Sequence, residues 1–226
     1  MNLPPEELRF LATARRDEAY WTRTGRSAWE KLTAILGKVD GRVVEWGCGA
    51  GRVSAYWNEV PGVDFIGFDI HQGAIEWCAE HLTFGRFGTC QMHPPIPEIE
   101  DGSCQVIYGL SVITHLLPDT QRTWSYELAR MLAPNGRLLL TYHGPAYLPL
   151  FRTFTGFVEV GAGYGVTGPG TEGSNSFGSW HIGPEAVLAL FPEFELVKSF
   201  VNVGLAGMEG QQDAVLLRKA PRPPSG

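Results

Sequence analysis

The chain predicts an α/β fold: a doubly wound, mostly parallel sheet with helices on both faces and a helical cap at the amino end. Three observations carry this expectation. Short apolar runs rich in β-branched residues, at 43–46, 63–68, 105–110 and 138–142, alternate with stretches of helical periodicity, which is the sequence form of successive βαβ units. Three glycines, Gly47, Gly49 and Gly51, stand between the first apolar run and the helical pattern after it, where doubly wound folds receive ligands. The 226 residues, 44 % hydrophobic and 12 % aromatic, can fill the core of one large α/β domain.

Taken in order, residues 1–40 predict two helices, the second marked by Trp29, Leu32, Ile35 and Leu36 on one face, and a turn at Asp40 and Gly41. They read as a cap ahead of a domain spanning 41–219. After the glycines, Val53, Tyr56, Trp57 and Val60 share a helical face, as do Ile75, Cys78 and Leu82, and then Trp124, Leu128, Met131 and Leu132. Ala133-Pro134-Asn135-Gly136 reads as a turn ending the third of these helices, and the triplet 138–140 as a central strand. Residues 161–178 hold seven of the 28 glycines, so a long loop or irregular hairpin is expected inside a Gly-rich insertion at about 145–182. A helix at 184–190 and strands near 195–203 and 213–218 close the domain, leaving 220–226 as an expected disordered tail.

Eighteen Lys and Arg against 24 Asp and Glu give a net charge of −6 with no basic run, which argues against a nucleic-acid partner. The four cysteines form no CxxC pair, and the amino end is acidic where a signal peptide needs a basic start, so a reduced cytoplasmic protein is expected. The longest stretch without Asp, Glu, Lys or Arg, residues 102–118, contains His115 and several other polar residues and is interrupted by Gly109; no membrane span is expected. Oligomeric state leaves no mark in the sequence.

The most informative segment runs Glu45-Trp46-Gly47-Cys48-Gly49-Ala50-Gly51. Missing Cβ atoms let a ligand approach the backbone, and free N–H groups at a helix start favour a negative group. A dinucleotide fingerprint needs glycine at the sixth position counted from Gly47, where Arg52 stands. The pattern E-x-G-x-G-x-G instead resembles motif I of the class I S-adenosylmethionine-dependent methyltransferases. A second match follows in FIGFDIH, residues 65–71, whose Asp69 lies 22 positions after Gly47 at a strand end. The resemblance extends over 42–144, through VIYGLSVITHL at 106–116 and the helix and strand after it. Two positions depart from it: Cys104 and Gln105 stand where the family commonly carries an aromatic-Asp pair, and Gln91 where it often carries Asp.

The resemblance implies a seven-stranded sheet with an antiparallel last strand and S-adenosyl-L-methionine as cofactor, leaving S-adenosyl-L-homocysteine as product. Glu45 is implied near the methionine amino group, Gly47, Cys48, Gly49 and Gly51 in the cofactor loop, and Asp69 on the ribose hydroxyls. Ile70 is implied on the adenine face, Gln91 at its amino group, and Ser111 and His115 beside the methionine moiety. Arg26, in a Thr24-Gly25-Arg26 turn of the cap, is the candidate partner of the cofactor carboxylate.

Methyl transfer from a sulfonium is an in-line displacement in which orientation supplies ~7–11 kcal/mol, whereas a general base adds about 10²–10⁴-fold. His115 and His143 are expected at the carboxyl edge of the sheet and His181 at the end of the glycine-rich insertion, beside Trp180; His143 is the first candidate for base or substrate contact and His181 the second. Acids are sparse beyond Asp119, so no metal is expected. The aromatics set among the glycines of the insertion, from Tyr147 to Trp180, suit a lid over a small organic acceptor. The expected function is methyl transfer to an oxygen or nitrogen of a small molecule. A non-catalytic S-adenosylmethionine-binding module or partner subunit is the alternative from another class, and an NAD-dependent oxidoreductase is disfavoured by Arg52.

Overall fold

The computed structural model describes residues 2–154, 156–160, 163–167, 172–173, 177–205 and 212–221. The tail beyond Pro221, and Gly161, Gly168 and Gly170 of the glycine cluster, lie outside the described residues.

The chain opens with α1 (Glu6–Thr13) and α2 (Glu18–Leu36). The Asp17 carboxylate accepts from Tyr20 N at 2.5 Å to start α2, and Gly37 at φ +66° ends it, the usual capping chemistry. The turn expected at 24–26 is absent. Those residues lie inside α2, where Gly25 lets the helix press on the Arg52 carbonyl oxygen, only 2.3 Å from where a Cβ would sit.

Then follow β1 (Gly41–Trp46), β2 (Val63–Asp69), α3 (Gln72–His81), β3 (Arg86–Thr89), β4 (Cys104–Gly109), α4 (Pro118–Met131) and β5 (Leu132–Tyr142). The insertion holds α5 (Leu148–Phe151), β6 (Val158–Glu159), β7 (Tyr164–Thr167) and β8 (Gly178–His181), after which come α6 (Pro184–Leu190), β9 (Phe194–Phe200) and β10 (Asp213–Lys219). The main sheet has the order β3-β2-β1-β4-β5-β10-β9. Strands β1 to β5 are parallel, and β10 runs antiparallel to both neighbours. The seven strands and the reversed last strand are as expected.

Both faces of the sheet are buried, which is why its strands read as near-continuous apolar runs. Val44, Trp46, Ile107, Leu138 and Leu140 pack under Trp124, Leu128 and Met131 of α4 and Val187 of α6. Val43, Val106, Tyr108 and Leu139 face Leu32 and Leu36 of α2 together with Trp57. Each fully buried aliphatic side chain contributes ~1.5–3 kcal/mol.

Two further elements differ from expectation. The amphipathic stretch 53–60 forms a 3₁₀ helix, Ser54–Glu59, because Pro61 pushes Val60 into an extended conformation (φ −107°, ψ 102°) before an α-helix can develop. The expected turn at 133–136 lies within β5 as an irregularity of the ladder, between the pairs Cys104↔Leu132 and Val106↔Arg137.

The insertion builds a second antiparallel sheet, β6-β7-β8. It is fastened to the main sheet where His181 N donates to His143 O at 2.9 Å and Trp180 Nε1 donates to Gly144 O at 2.9 Å.

Candidate functional site

From β1 the chain passes outward through β2 to β3 on one side of the sheet, and then returns to run from β4 to β5 on the other. Loops leaving the carboxyl ends of β1 and β4 therefore diverge and open a crevice, the topological switch point of an open α/β sheet. A cavity of about 410 Å³ lies there, lined by Glu45, the loop 46–50, Arg52, Asp69, Ile70, residues 90–92 and 110–112, His115, Leu116, Trp124 and Gly173, and walled by Leu8, Leu11 and Ala12 of α1.

Glu45 is only 3 % exposed. It stands beside Tyr108 in the β1–β4 register. Its Oε2 accepts from Ser54 Oγ at 2.5 Å and from Tyr108 OH at 2.8 Å, and Tyr108 OH in turn accepts from Trp57 Nε1 at 2.7 Å. Both of its hydrogen bonds fall on Oε2, which leaves Oε1 for the cavity. Burial pushes the Glu45 carboxyl up to about 7, against the opposing pull of those two hydroxyls and the Arg52 charge.

Asp69 ends β2 and ties two turns together, its Oδ2 accepting from Gly49 N at 2.7 Å and its Oδ1 from His71 N at 2.8 Å. Three more loop amides are also used: Gly47 N and Cys48 N donate to Phe68 O, and Gly51 N to Cys48 O. The anion-binding helix start expected after the glycines is therefore not formed, because these amides are spent inside the loop and a short 3₁₀ helix follows them.

The glycines divide by task. Gly47, at φ +76°, lies where a Cβ would strike Val112 Cγ2 at 2.3 Å. At Gly49, φ +52°, an added Cβ would meet nothing nearer than Ala12 Cβ at 4.0 Å, so it would project into the cavity. Gly51 is not on the cavity wall; its missing Cβ makes room for Leu82 and Cys78.

Residues 44–138 match the family described as a methyltransferase domain. Over that segment the chain resembles the class I methyltransferases. The solved structure of the PH0226 protein from Pyrococcus horikoshii OT3 superposes with a TM-score of 0.69 at 16 % identity, covering 93 % of this chain and 96 % of that one. The glycopeptide N-methyltransferase MtfA, complexed with S-adenosyl-L-methionine, superposes with a TM-score of 0.65 at 12 % identity over 87 % of this chain and 94 % of that one. Among curated proteins, the mouse (Mus musculus) eEF1A lysine and N-terminal methyltransferase is 25 % identical over 155 residues, 62 % of this chain; the match spans only 22 % of that protein's length.

S-adenosylmethionine is the cofactor of this methyltransferase class, and the cavity suits it. Gly49 supplies a cradle that a Cβ would fill, two carboxylates face in from β1 and β2, and the buried Arg52 Nη1 has no hydrogen-bond partner among the described residues. Glu45, Gly47, Cys48, Gly49, Asp69, Ile70, Gln91, Ser111 and His115, each singled out from the sequence, line one cavity. Ser111 sits at φ +65°. It is held by Thr141 Oγ1, which accepts from Ser111 N at 2.7 Å, and by contacts of its Oγ with Thr114 Oγ1 at 3.0 Å and Gln212 Nε2 at 2.8 Å.

Arg26 is not at the site. It points outward from α2, makes a two-pronged ion pair with Glu59 at 2.7 and 2.5 Å, and lies over the Tyr56 ring at 4.3 Å. The cation on the cavity wall is Arg52, which sequence reading used only to reject the dinucleotide motif.

His143 and His181 also fall outside the cavity lining. His143 Nδ1 lies 3.1 Å from Ser179 O and its Nε2 3.3 Å from Gln212 Nε2. A carbonyl must accept and an amide nitrogen must donate, so Nδ1 carries the proton of a neutral ring. Burial lowers its pKa to about 4. His181 is fully buried, its Nε2 3.0 Å from Gln121 Oε1, and burial lowers it to about 3. Both hold the insertion to the sheet. Tyr147, Phe151, Phe177 and Trp180 are likewise buried, the first two packed on His143 with ring centroids 4.2 and 5.2 Å away. None lines the cavity, so the expected aromatic lid is instead the core of the insertion, which reaches the cavity through Gly173, whose N–H donates to His115 O at 2.9 Å.

Proposed function

We propose that this methyltransferase moves a methyl group to an oxygen or nitrogen of a small-molecule acceptor, without a metal and in the reducing cytoplasm. One observation carries the proposal: two carboxylates, a half-buried guanidinium and two histidines converge on a single cavity of about 410 Å³, within the range of small-molecule sites. The four free, buried cysteines suit a reducing compartment. When bound, the cofactor supplies an electrophilic methyl on a sulfonium centre.

The chain's own residues do the rest. Asp69 keeps a lone pair on each oxygen beyond the two amides it already accepts from, the pair of acceptors that ribose hydroxyls need. Ile70, 45 % exposed, covers the adenine face, with Gln91 at its edge, and Glu45 Oε1 receives the ammonium. Ser111 and His115 border the acceptor end, and His115 takes the proton that an O–H or N–H acceptor gives up. His143 acts at one remove, as a positioning residue that holds Gln212 against Ser111. Residues 1–40 serve as a cap over a domain spanning 41–219, with α1 closing the cavity, and the insertion at about 145–182 sets acceptor choice.

A second reading draws on the mouse relative, whose name specifies lysine and N-terminal methylation: the acceptor would be a protein amine presented at the cavity mouth. Titration with S-adenosylhomocysteine followed by methyl-labelled S-adenosylmethionine and a panel of small amines and hydroxyl compounds, with lysine-bearing proteins in parallel, separates these. Label on a small compound supports the proposal. Label only on protein moves the assignment to the second reading, and binding without turnover on any acceptor leaves a non-catalytic module.

A further inference from the structure

A fully buried glutamine that no step above uses is tied to the segment carrying His115. Gln121, 0 % exposed and outside the cavity lining, lies in the first turn of α4. Side chains of a helix tilt toward its amino end, so Gln121 reaches back over the residues that precede α4. Its Nε2 donates to Ile113 O at 3.0 Å and to Leu116 O at 2.8 Å, and lies 3.3 Å from Ser179 Oγ. Its Oε1 accepts from His181 Nε2 at 3.0 Å. The insertion adds three more ties: Gly173 N donates to His115 O at 2.9 Å, Leu117 N donates to Glu172 Oε1 at 2.5 Å, and Ser179 Oγ donates to Ile113 O at 2.7 Å. The carbonyls of residues 113, 115 and 116 and the amide of 117 are thus each held from outside their own segment, around a half-buried His115 on the cavity wall.

We propose that Gln121 is a positioning residue for His115, with Glu172 seconding it from the insertion. This rests on His115 being the group that takes the acceptor's proton. Such a transfer depends on placement, and an error of ~1 Å can cost about a hundredfold in rate. His115 ends a three-residue 3₁₀ turn, Ile113–His115, and so short a turn has too few hydrogen bonds of its own to fix a side chain. A primary amide supplies what the turn lacks. Its two N–H donors fork across the carbonyls on either side of His115, and only its nitrogen end can serve them. Those carbonyls orient the amide by themselves, while His181 adds stability at the oxygen end. An apolar residue at 121 would be buried with no polar group to desolvate, so packing alone gives no reason for a glutamine there. A buried polar network whose members are paired holds a single arrangement.

Two measurements test this on Gln121→Met, which keeps the length of the side chain and loses both donors, and on Glu172→Ala at a part-buried position. The first is deuterium exchange over residues 113–117, where both variants should exchange at least about tenfold faster than wild type, the change expected for one lost hydrogen bond. The second is turnover of methyl-labelled S-adenosylmethionine with whichever small compound or lysine-bearing protein accepts label, run as a double-mutant cycle with His115→Ala. Gln121→Met should lower kcat about ten- to a hundredfold and leave calorimetric affinity for S-adenosylhomocysteine within about threefold. When His115 is already alanine, the same change should cost no more than about twofold. Glu172→Ala should follow this pattern with a smaller loss, and it decides the matter if Gln121→Met fails to fold. Unchanged exchange over 113–117 overturns the assignment, as does an unchanged kcat or an equal fall in both backgrounds, the mark of a merely structural role. A His115→Ala protein with normal turnover, or a wild-type protein that methylates nothing, refutes the functional reading and this inference with it. Failure of the cycle beside an impaired His115→Ala protein removes the role of Gln121 and leaves that reading standing.

Discussion

Replacing Glu45 by glutamine should stabilise the ligand-free protein while impairing its cofactor site. The carboxyl is buried beneath the glycine loop, and burial raises it to about 7 from an ordinary 4.5. A raised acid pKa means that the folded state holds its proton more tightly than the unfolded chain. Between pH 4.5 and 7 the folded protein therefore binds more protons than the unfolded one, and stability falls as pH rises through that window. Below it both states are protonated and Glu45 costs nothing. Above it the full cost is present, about 3 kcal/mol at ~1.4 kcal/mol per pH unit. Glutamine resembles the neutral acid: its carbonyl can accept from both Ser54 and Tyr108, and it carries no charge to desolvate. Glu45→Gln should be about 3 kcal/mol more stable than wild type at pH 8 and within about 1 kcal/mol at pH 5, or roughly 6–12 °C in melting temperature at the higher pH for a chain of this size. Its affinity for S-adenosylhomocysteine should fall about tenfold as the ammonium loses its charged partner. Thermal melts of both proteins from pH 5 to 8, each without ligand, give the comparison. An Glu45→Gln protein that melts at or below wild type at pH 8, or a difference that does not change with pH, would refute the claim that Glu45 is a strained, desolvated acid.

Three other perturbations have clear expectations. Asp69→Ala should weaken S-adenosylhomocysteine roughly ten- to a hundredfold and lower the melting temperature, since Gly49 N and His71 N lose their acceptor; unchanged affinity in calorimetry would remove Asp69 from the site. Gly47→Ala should destabilise by more than about 2 kcal/mol, combining φ +76° with a Cβ placed 2.3 Å from Val112 Cγ2, whereas Gly49→Ala should block ligand at a stability cost of only about 1 kcal/mol; denaturant melts and titration together separate the two. His115→Ala should cut turnover by about 10²–10⁴-fold with cofactor affinity within about twofold, while His181→Ala should act through stability, with its loss read in melting temperature and kcat largely retained in the folded fraction.

The legible parts of this protein were those encoded locally. Strand and helix alternation follows from periodicity, and the glycines and Asp69 stand beside one another in the fold because β1 and β2 are successive parallel strands whose carboxyl ends meet at one edge. Nine residues chosen from the sequence line the cavity because β1 to β4 are parallel and end at that one edge, while Gly51 packs on Leu82 and Cys78 instead. Three others, Arg26, His143 and His181, were placed by chain position alone, and tertiary packing sent them elsewhere. Arg26 sits on the outward face of α2, where Glu59 captures it, a pairing of residues 33 apart that no local pattern reveals. His143 follows β5 at the correct edge, but the insertion, whose strand β8 ends in His181, folds back over it, and the two rings turn to Ser179 O, Gln212 and Gln121.

Arg52 presents the opposite case. In the sequence it is only the residue that spoils a dinucleotide motif, and nothing local distinguishes an exposed arginine after a glycine loop from a buried one. Its placement depends on Gly25 of α2, where an added Cβ would stand only 3.2 Å from Arg52 Cγ and 2.3 Å from its carbonyl oxygen. The strand–loop–strand arithmetic of the domain, with its two cavity carboxylates, was thus set by the sequence itself, because short-range spacing and strand-end position are properties of the chain. Which cation faces the cavity, which histidine borders it, and whether the insertion's aromatics cover the site or pack against themselves were decided only by the tertiary structure, because burial and partner choice depend on contacts between residues far apart in the chain.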